Sequence, residues 1–219
     1  MKTIGEYWKD FAIRWEESSY EHRAGGLSMV ERIATLQREH ILARRRTALA
    51  HLSDRVAGLR VLEIGCGGGT LSLELLRRGA AHATGVDISP EVIAVAAKKA
   101  REAGLADRAE FMAMTVEDAV GRSFGQVDLI VGLGILEYLE PEVVAQLVRA
   151  VRPGQVVFSF DERRATLKTA LHFVYRQLKQ FPYYKKYSAS ELSALLAGVG
   201  FPRTSVFRDG DNSFITSFD

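Results

Sequence analysis

The chain has 219 residues, of which 47% are hydrophobic, so it can bury a sizeable core and is not a disordered protein. Its 29 basic and 27 acidic residues leave a formal net charge of +2, which argues against a broad basic face and therefore against a DNA-binding protein. Cys66 is the single cysteine, which excludes an intrachain disulfide, and no Cys/His spacing suits zinc, so we expect no metal.

Short basic runs occur at residues 44–46, 98–99 and 185–186, and we interpret them as solvated helix faces. Residues 1–6 lack the apolar core of a signal peptide. No uncharged apolar run approaches the roughly 20 residues of a membrane helix. We therefore expect a soluble, cytoplasmic protein with no membrane span.

The first 57 residues are predicted to be helical. Trp8, Phe11 and Trp15 recur at the spacing of one helix face, and a second helical stretch runs from Met29 to Leu52. We expect these N-terminal helices to form a cap on the rest of the chain.

Strand and helix patterns alternate from residue 60 onward. Ser89 is predicted to cap one of the helices, with Pro90 in its first turn. Alternation of this kind indicates a doubly wound α/β fold with a mostly parallel sheet. The predicted strands are 60–64, 83–86, 109–114, 127–131 and 156–160, and the predicted helices are 71–78, 91–102 and 141–151.

The alternation is interrupted after residue 160. A helix is predicted over 163–181, and a tyrosine-rich, basic stretch follows at 181–187. Ser188 and Glu191 have the spacing of a capping box, which predicts that a helix follows over 192–199. The last two strands, around 206–207 and 214–215, are predicted to be antiparallel neighbours.

The most informative motif is the glycine run 65–69, which lies between a predicted strand and a predicted helix. Glycine lets a ligand approach the backbone because no Cβ blocks it. Asp87 ends the next strand, about 20 residues further on, where a carboxylate can accept hydrogen bonds from both ribose hydroxyls. The spacing therefore predicts a nucleoside site without choosing the nucleoside.

Two details choose between nucleosides. The dinucleotide fingerprint requires a third small residue, Gly or Ala, but Thr70 or Ser72 stands there in either register. Glu63, two residues before the first glycine, would repel a pyrophosphate and attract an ammonium or a sulfonium group. These residues disfavour an NAD enzyme and favour a cationic nucleoside cofactor.

The motifs together resemble those of the class I S-adenosylmethionine-dependent methyltransferases. The resemblance covers about residues 55–219 and implies a Rossmann-like seven-stranded sheet with an antiparallel last strand. It also implies a single domain with a helical cap at 1–57, a cofactor-binding core at 58–160, and a substrate-side insert with the final strands at 161–219. The matching motifs are Glu63-x-Gly65-x-Gly67-x-Gly69, Asp87, Asp128-Leu129-Ile130-Val131, Leu136-Glu137-Tyr138-Leu139 and Val151-Arg152-Pro153-Gly154.

The resemblance also implies which residues bind S-adenosyl-L-methionine. Asp87 would hold the ribose, and Glu63 would shape the glycine loop near the ammonium group. Many relatives carry an Asp where this chain has Thr115, so contact with adenine at that point is expected to weaken or to shift to Glu117. The expected cofactor-binding residues are Glu63, Gly65, Cys66, Gly67, Asp87, Ile88, Thr115, Val116, Leu133 and Gly134.

The region after residue 159 is similar to magnesium-protoporphyrin and ubiquinone-pathway O-methyltransferases, which implies a small-molecule acceptor methylated on oxygen. We expect the acceptor pocket between the N-terminal helices, the loop 134–139 and the insert 161–187. The candidate catalytic residues are His172, Tyr138 and Glu137, although many relatives carry His where this chain has Tyr138.

Two other functions remain open on sequence grounds. The basic runs and Tyr183, Tyr184 and Tyr187 could form a stacking surface in an RNA or protein methyltransferase. Alternatively, the chain could bind S-adenosylmethionine as a non-catalytic partner protein. The sequence leaves the oligomeric state open.

Overall fold

The computed structural model describes residues 29–163 and 184–218. The predicted helix around Trp8–Trp15 and most of the predicted insert helix 163–181 lie outside these residues, as does His172. Within the described part of the chain, no helix is both long and apolar enough to cross a membrane.

Seven strands of the described residues form one sheet. They are β1 (Arg60–Ile64), β2 (His82–Asp87), β3 (Ala109–Ala113), β4 (Leu129–Gly132), β5 (Gln155–Phe160), β6 (Ser205–Asp209) and β7 (Asn212–Thr216). Their order across the sheet is β3-β2-β1-β4-β5-β7-β6. The first five strands are parallel, and β7 runs antiparallel to both β5 and β6. The predicted doubly wound, mostly parallel sheet with an antiparallel last strand is therefore confirmed.

Helices cover both faces of the sheet, and apolar side chains that alternate along each strand supply a core on each side. Leu62 and Ile64 of β1 belong to one buried cluster, whereas Val61 of the same strand belongs to the other. The helices are α1 (Met29–Leu52), α2 (Thr70–Arg77), α3 (Pro90–Glu102), α4 (Val116–Val120), α5 (Pro141–Val151) and α6 (Ala189–Ala197).

Capping side chains set several helix starts as the sequence predicted. The hydroxyl of Ser89 accepts a hydrogen bond from the Val92 N–H, and Pro90 is the first residue of α3. Ser188 and Glu191 form the predicted capping box, but α6 begins directly after Ser188 rather than at residue 192.

The short helix α4 was not predicted from the sequence. Thr115 accepts a hydrogen bond from the Asp118 N–H at 3.0 Å, and the Asp118 carboxylate accepts one from the Thr115 N–H. This capping box has an Asp in place of the usual Glu or Gln, and the helix is only 5 residues long, so its apolar pattern is too short to detect.

The N-terminal helix α1 packs against the β6–β7 hairpin. Arg44 donates from Nε to Asn212 Oδ1 at 3.1 Å, and Asn212 donates from Nδ2 to the His40 carbonyl at 3.3 Å. The Thr47 hydroxyl donates to the Asp209 carboxylate, and His51 stacks on Phe207 with ring centroids 4.5 Å apart. These contacts fix α1 beside the carboxyl ends of the central strands.

The packing at the end of β4 generates a stability prediction. A Cβ added at Gly132 would lie 2.8 Å from Ile64 Cγ1 and 2.9 Å from Ile135 Cγ2, so Gly132→Ala overpacks the core. We expect a loss of about 1–3 kcal/mol in the free energy of unfolding, measured with urea.

The matched control is Gly121→Ala, where the nearest atom to an added Cβ is the Asp118 carbonyl oxygen at 3.8 Å. Gly121 has a φ of −83°, which alanine adopts easily, so the control should unfold at the wild-type urea concentration or slightly above it. Equal losses in both variants would contradict this account of the β4 end.

Candidate active site

The glycine loop joins the end of β1 to the start of α2. Gly65 and Gly67 have φ angles of +67° and +49°, in the left-handed region that favours glycine. The Cys66 N–H donates to the Val86 carbonyl at 3.0 Å, which ties the loop to the end of β2. Cys66 itself is buried, so its contribution to a ligand would come from the backbone.

Glu63 is buried beneath this loop and binds the first turn of α2. Its Oε2 accepts a hydrogen bond from the Ser72 N–H at 3.0 Å and another from the Ser72 hydroxyl at 2.5 Å. Burial raises the pKa of Glu63 to about 8, although both bonds from Ser72 oppose the rise. Glu63 therefore ties the end of β1 to the first turn of α2, and its raised pKa favours the protonated form of this carboxyl group.

Asp87 ends β2 and bonds two backbone amides. Its Oδ2 accepts from the Gly67 N–H at 2.9 Å, and its Oδ1 accepts from the Ser89 N–H at 3.1 Å. One carboxylate thus joins the glycine loop to the start of α3. It lies at the carboxyl edge of the sheet, where doubly wound folds bind their ligands.

The opposite wall is the loop that follows β4. A Cβ added at Gly65 would lie 3.1 Å from Ile135, so the glycine loop and the β4 loop are in contact. The Gly134 N–H donates to the buried Ser159 hydroxyl of β5 at 2.8 Å. Gly134 has a φ of +70°, and the Arg44 guanidinium occupies the space that a Cβ would need there.

The residues expected at adenine lie beside β2 and β3. The Met114 N–H donates to the Asp87 carbonyl at 2.9 Å, so Thr115 and Val116 follow close to the end of β2. The Thr115 hydroxyl accepts from Asp118 N–H as a helix cap, Val116 is buried, and Glu117 is exposed. Ile88 is half-buried between Asp87 and Ser89.

The candidate catalytic residues Glu137 and Tyr138 lie in a 3-10 turn, Leu136–Tyr138, just beyond Gly134. The Glu137 side chain is 2% exposed, and neither carboxylate oxygen has a hydrogen-bond partner among the described residues. Burial raises the pKa of Glu137. The positive charge of Arg44 and the nearby backbone amides of Glu137 and Asp161 oppose the rise, and the negative charge of Asp161 adds to it. Burying a carboxyl group without a hydrogen-bond partner is costly in free energy.

A segment from Tyr184 to Tyr187, which we term the strap, crosses the ends of β4 and β5. The Tyr184 hydroxyl donates to Asp161 Oδ2 at 2.5 Å, and Lys186 pairs with the same oxygen at 3.1 Å. The Tyr184 ring meets the Tyr138 ring edge-on, with centroids 5.5 Å apart. The strap therefore joins the candidate catalytic turn to the end of β5.

The interpretation of the basic runs as solvated helix faces is wrong for several of their members. Arg44, Arg45 and Lys186 are half-buried, and each acts on a carboxylate of the site. Ser72 and Ser159 were not predicted as site residues. Ser72 depends on the return of α2 to the end of β1, and Ser159 on the pairing of β4 with β5. A run of three arginines at the C-terminal half of α1 gives no local signal that Arg44 and Arg45 face the site.

Comparisons with known proteins agree with this geometry. A family model described as a methyltransferase domain matches residues 61–154. A ubiquinone biosynthesis O-methyltransferase of Xanthomonas axonopodis pv. citri is 32% identical over 165 residues, which cover 69% of this chain and 67% of the relative. Another from Aeromonas salmonicida is 38% identical over 112 residues, covering 49% and 46%. The chain spans about half the length of several of the curated relatives that it matches.

Solved structures share the whole fold at low sequence identity. Magnesium protoporphyrin IX methyltransferase from Synechocystis, with bound SAH, superposes with a TM-score of 0.68 and 19% identity, over 97% of this chain and 96% of that one. The strand order and the glycine loop at the carboxyl edge define a Rossmann-like methyltransferase fold. The chain belongs to the class I S-adenosylmethionine-dependent methyltransferases.

The two hydrogen bonds that Asp87 accepts from backbone N–H groups generate the first prediction for the site. Asp87→Ala removes both bonds together with the expected ribose acceptor, so we predict at least a tenfold loss of S-adenosylmethionine affinity by calorimetry. Gly67→Val should cause comparable damage by steric block. Asp107→Ala, an exposed acid away from this edge, is the control and should bind like wild type. Wild-type affinity in a folded Asp87→Ala would show that the site is misplaced.

The raised pKa of Glu63 predicts how stability depends on pH. Between about pH 4.5 and pH 8 the folded protein holds a proton that the unfolded chain releases, so the free energy of unfolding falls as pH rises through this window. The side chain of Glu63→Gln cannot titrate, but it can still accept both hydrogen bonds from Ser72. The decrease in the free energy of unfolding over this pH window should therefore be smaller in the variant than in wild type, by up to a few kcal/mol. Glu74→Gln, which changes a partly exposed acid of α2 that pairs with Arg77, should keep the wild-type slope. Identical slopes in wild type and Glu63→Gln would contradict the assignment.

Proposed function

We propose that this protein transfers a methyl group from S-adenosylmethionine to a hydroxyl oxygen of a small-molecule acceptor. The observation that carries the proposal is the buried Glu137 carboxylate, which has no hydrogen-bond partner among the described residues and shares a loop with Gly134. Such a group suits a proton acceptor at the reacting oxygen.

The residues at the carboxyl edge fit the cofactor. Gly65 and Gly67 offer a backbone surface free of side chains, and Asp87 offers a carboxylate to the ribose. Arg44 lies against Gly134 and Arg45 acts electrostatically on Glu63, so both bring positive charge to the side where a methionine carboxylate would lie. When bound, S-adenosylmethionine supplies an electrophilic methyl group on a sulfonium.

Glu137 is proposed to take the acceptor's proton. A buried carboxylate with a raised pKa is a stronger base than an exposed one, because its pKa lies nearer to that of a phenol. Glu137 would accept the proton that the acceptor hydroxyl loses when its oxygen takes the methyl group. The buried turn also excludes water from the base.

Tyr138 is proposed to orient the acceptor from the same turn, with its ring fixed against Tyr184. His172 stays a prediction from the sequence because it lies outside the described residues. The names of two relatives, ubiquinone biosynthesis O-methyltransferase and magnesium protoporphyrin IX methyltransferase, both indicate small-molecule acceptors. We therefore propose an acceptor of that class, partly apolar and carrying a phenol or a carboxylate, and a cytoplasmic location for the protein.

Substitution of Glu137 tests the proposal. With an acceptor identified by a mass gain of one methyl group in a screen of phenols and aromatic acids, Glu137→Gln should lower kcat by about 100-fold, since general bases contribute about that much. Its cofactor affinity should stay within a few-fold of wild type. Tyr138→Phe and His172→Ala should lower turnover less.

The matched control is Glu140→Gln, which neutralises an exposed acid in the same loop and should turn over normally. Wild-type turnover in Glu137→Gln would overturn the proton-acceptor role. Loss of stability together with cofactor binding would make Glu137 a structural residue.

A further inference from the structure

The strap Tyr184–Tyr187 is built into the site by backbone hydrogen bonds to both neighbouring loops. The Lys185 N–H donates to the Glu137 carbonyl at 2.7 Å, and the Tyr187 N–H donates to the Asp161 carbonyl at 3.1 Å. The Tyr187 hydroxyl donates to the Leu139 carbonyl at 3.1 Å. The catalytic turn after β4 and the first residue after β5 are therefore held at a fixed separation.

Asp161 is the charged centre of this arrangement. Its Oδ2 accepts the Tyr184 hydroxyl at 2.5 Å and pairs with the Lys186 ammonium at 3.1 Å. The side chains of Lys186 and Asp161 are only 20% and 27% exposed, so solvent screens this pair less than it screens a surface pair. The Tyr184 hydroxyl and the Lys186 ammonium, both bound to the same oxygen, hold the Asp161 carboxylate in this orientation.

The charges around Glu137 come from several elements. Arg44 approaches from α1, Asp161 from the end of β5, and the phenol of Tyr184 from the strap. Lys186 forms its ion pair with Asp161. Arg44 favours the ionised form of Glu137, whereas Asp161 disfavours it, and Lys186 weakens the effect of Asp161.

We propose that Asp161 is a positioning residue of the acceptor site, which, clamped by Tyr184 and Lys186, sets how readily Glu137 takes the acceptor's proton. The inference rests on the proposed role of Glu137 as proton acceptor. The strap contributes two side chains to this arrangement. Lys186 partly neutralises the negative charge of Asp161, and the Tyr184 hydroxyl holds the Asp161 carboxylate in position.

The proposal predicts opposite effects for two substitutions. Asp161→Asn removes the repelling charge, so the rise of kcat with pH should move to lower pH by about one pH unit. Lys186→Met leaves the charge of Asp161 uncompensated, so the same rise should move to higher pH. A second readout without turnover is infrared titration. The protonated-carboxyl band expected for Glu137 should be absent in Glu137→Gln, and the pH at which it titrates should shift in the same two directions.

The matched control is Glu162→Gln. Glu162 is the next acid along the chain and is equally well paired, with Arg208 Nη2 at 2.6 Å and the Ser213 hydroxyl at 2.8 Å. The pH position of kcat should not move in this variant, whatever its stability. Tyr184→Phe keeps the ring against Tyr138 but loses the bond to Asp161, and it should lower kcat more than it changes KM.

The outcomes separate this inference from the proposed function. Opposite shifts in Asp161→Asn and Lys186→Met support it. If Glu137→Gln loses turnover but neither of these variants moves the pH position, Asp161 is only a structural clamp and the inference is overturned. If Glu137→Gln turns over normally, the proposed proton acceptor fails first.

Discussion

The pair of hydrogen bonds from Gly67 and Ser89 to the Asp87 carboxylate is the interaction on which the cofactor side of the site depends. It fixes a loop of high conformational freedom to the end of a buried strand. Because the parallel register places Ile64 beside Val86, the two strand ends meet at one edge and the carboxylate needs to span only one strand spacing. Glu63 completes the frame from below by bonding both the amide and the hydroxyl of Ser72.

The acceptor side is built differently, from elements distant in sequence. Asn212, at the start of β7, orients Arg44 of α1, and the Arg44 guanidinium in turn lies on Gly134 after β4. The strap then binds the loops after β4 and β5 from the other side. The two antiparallel strands at the edge of the sheet therefore support the site through α1, although neither contributes a residue to the cofactor side.

Much of the fold could be predicted from the sequence because the local signals agreed. Most strands of the parallel sheet are short, largely apolar runs, β1 is followed by Gly65 and β5 is preceded by Gly154. The caps at Ser89 and Ser188 have side chains of the expected type. The glycine loop and Asp87 were predicted together because their spacing reflects a single strand–helix–strand unit. The helix α4 was missed because a helix of 5 residues has no periodicity to detect.

The electrostatics of the site could not be predicted in the same way. That Glu137 is buried without a partner, and that Arg44 and Lys186 point inward from basic runs, depends on contacts between α1, the strap and the strand ends. Composition places such residues at the surface on average. Arg44, Lys186 and Asp161 come close to Glu137 only because segments that are distant in sequence pack together.

The central claim is that the carboxyl edge around Asp87 binds S-adenosylmethionine. Calorimetric titration of the wild-type protein, first with S-adenosylmethionine and then with NAD, tests it most directly. The account predicts saturable one-to-one binding of S-adenosylmethionine and no heat of binding with NAD, because Thr70 or Ser72 stands where the dinucleotide fingerprint requires a third Gly or Ala. Tight binding of NAD with none of S-adenosylmethionine would contradict it.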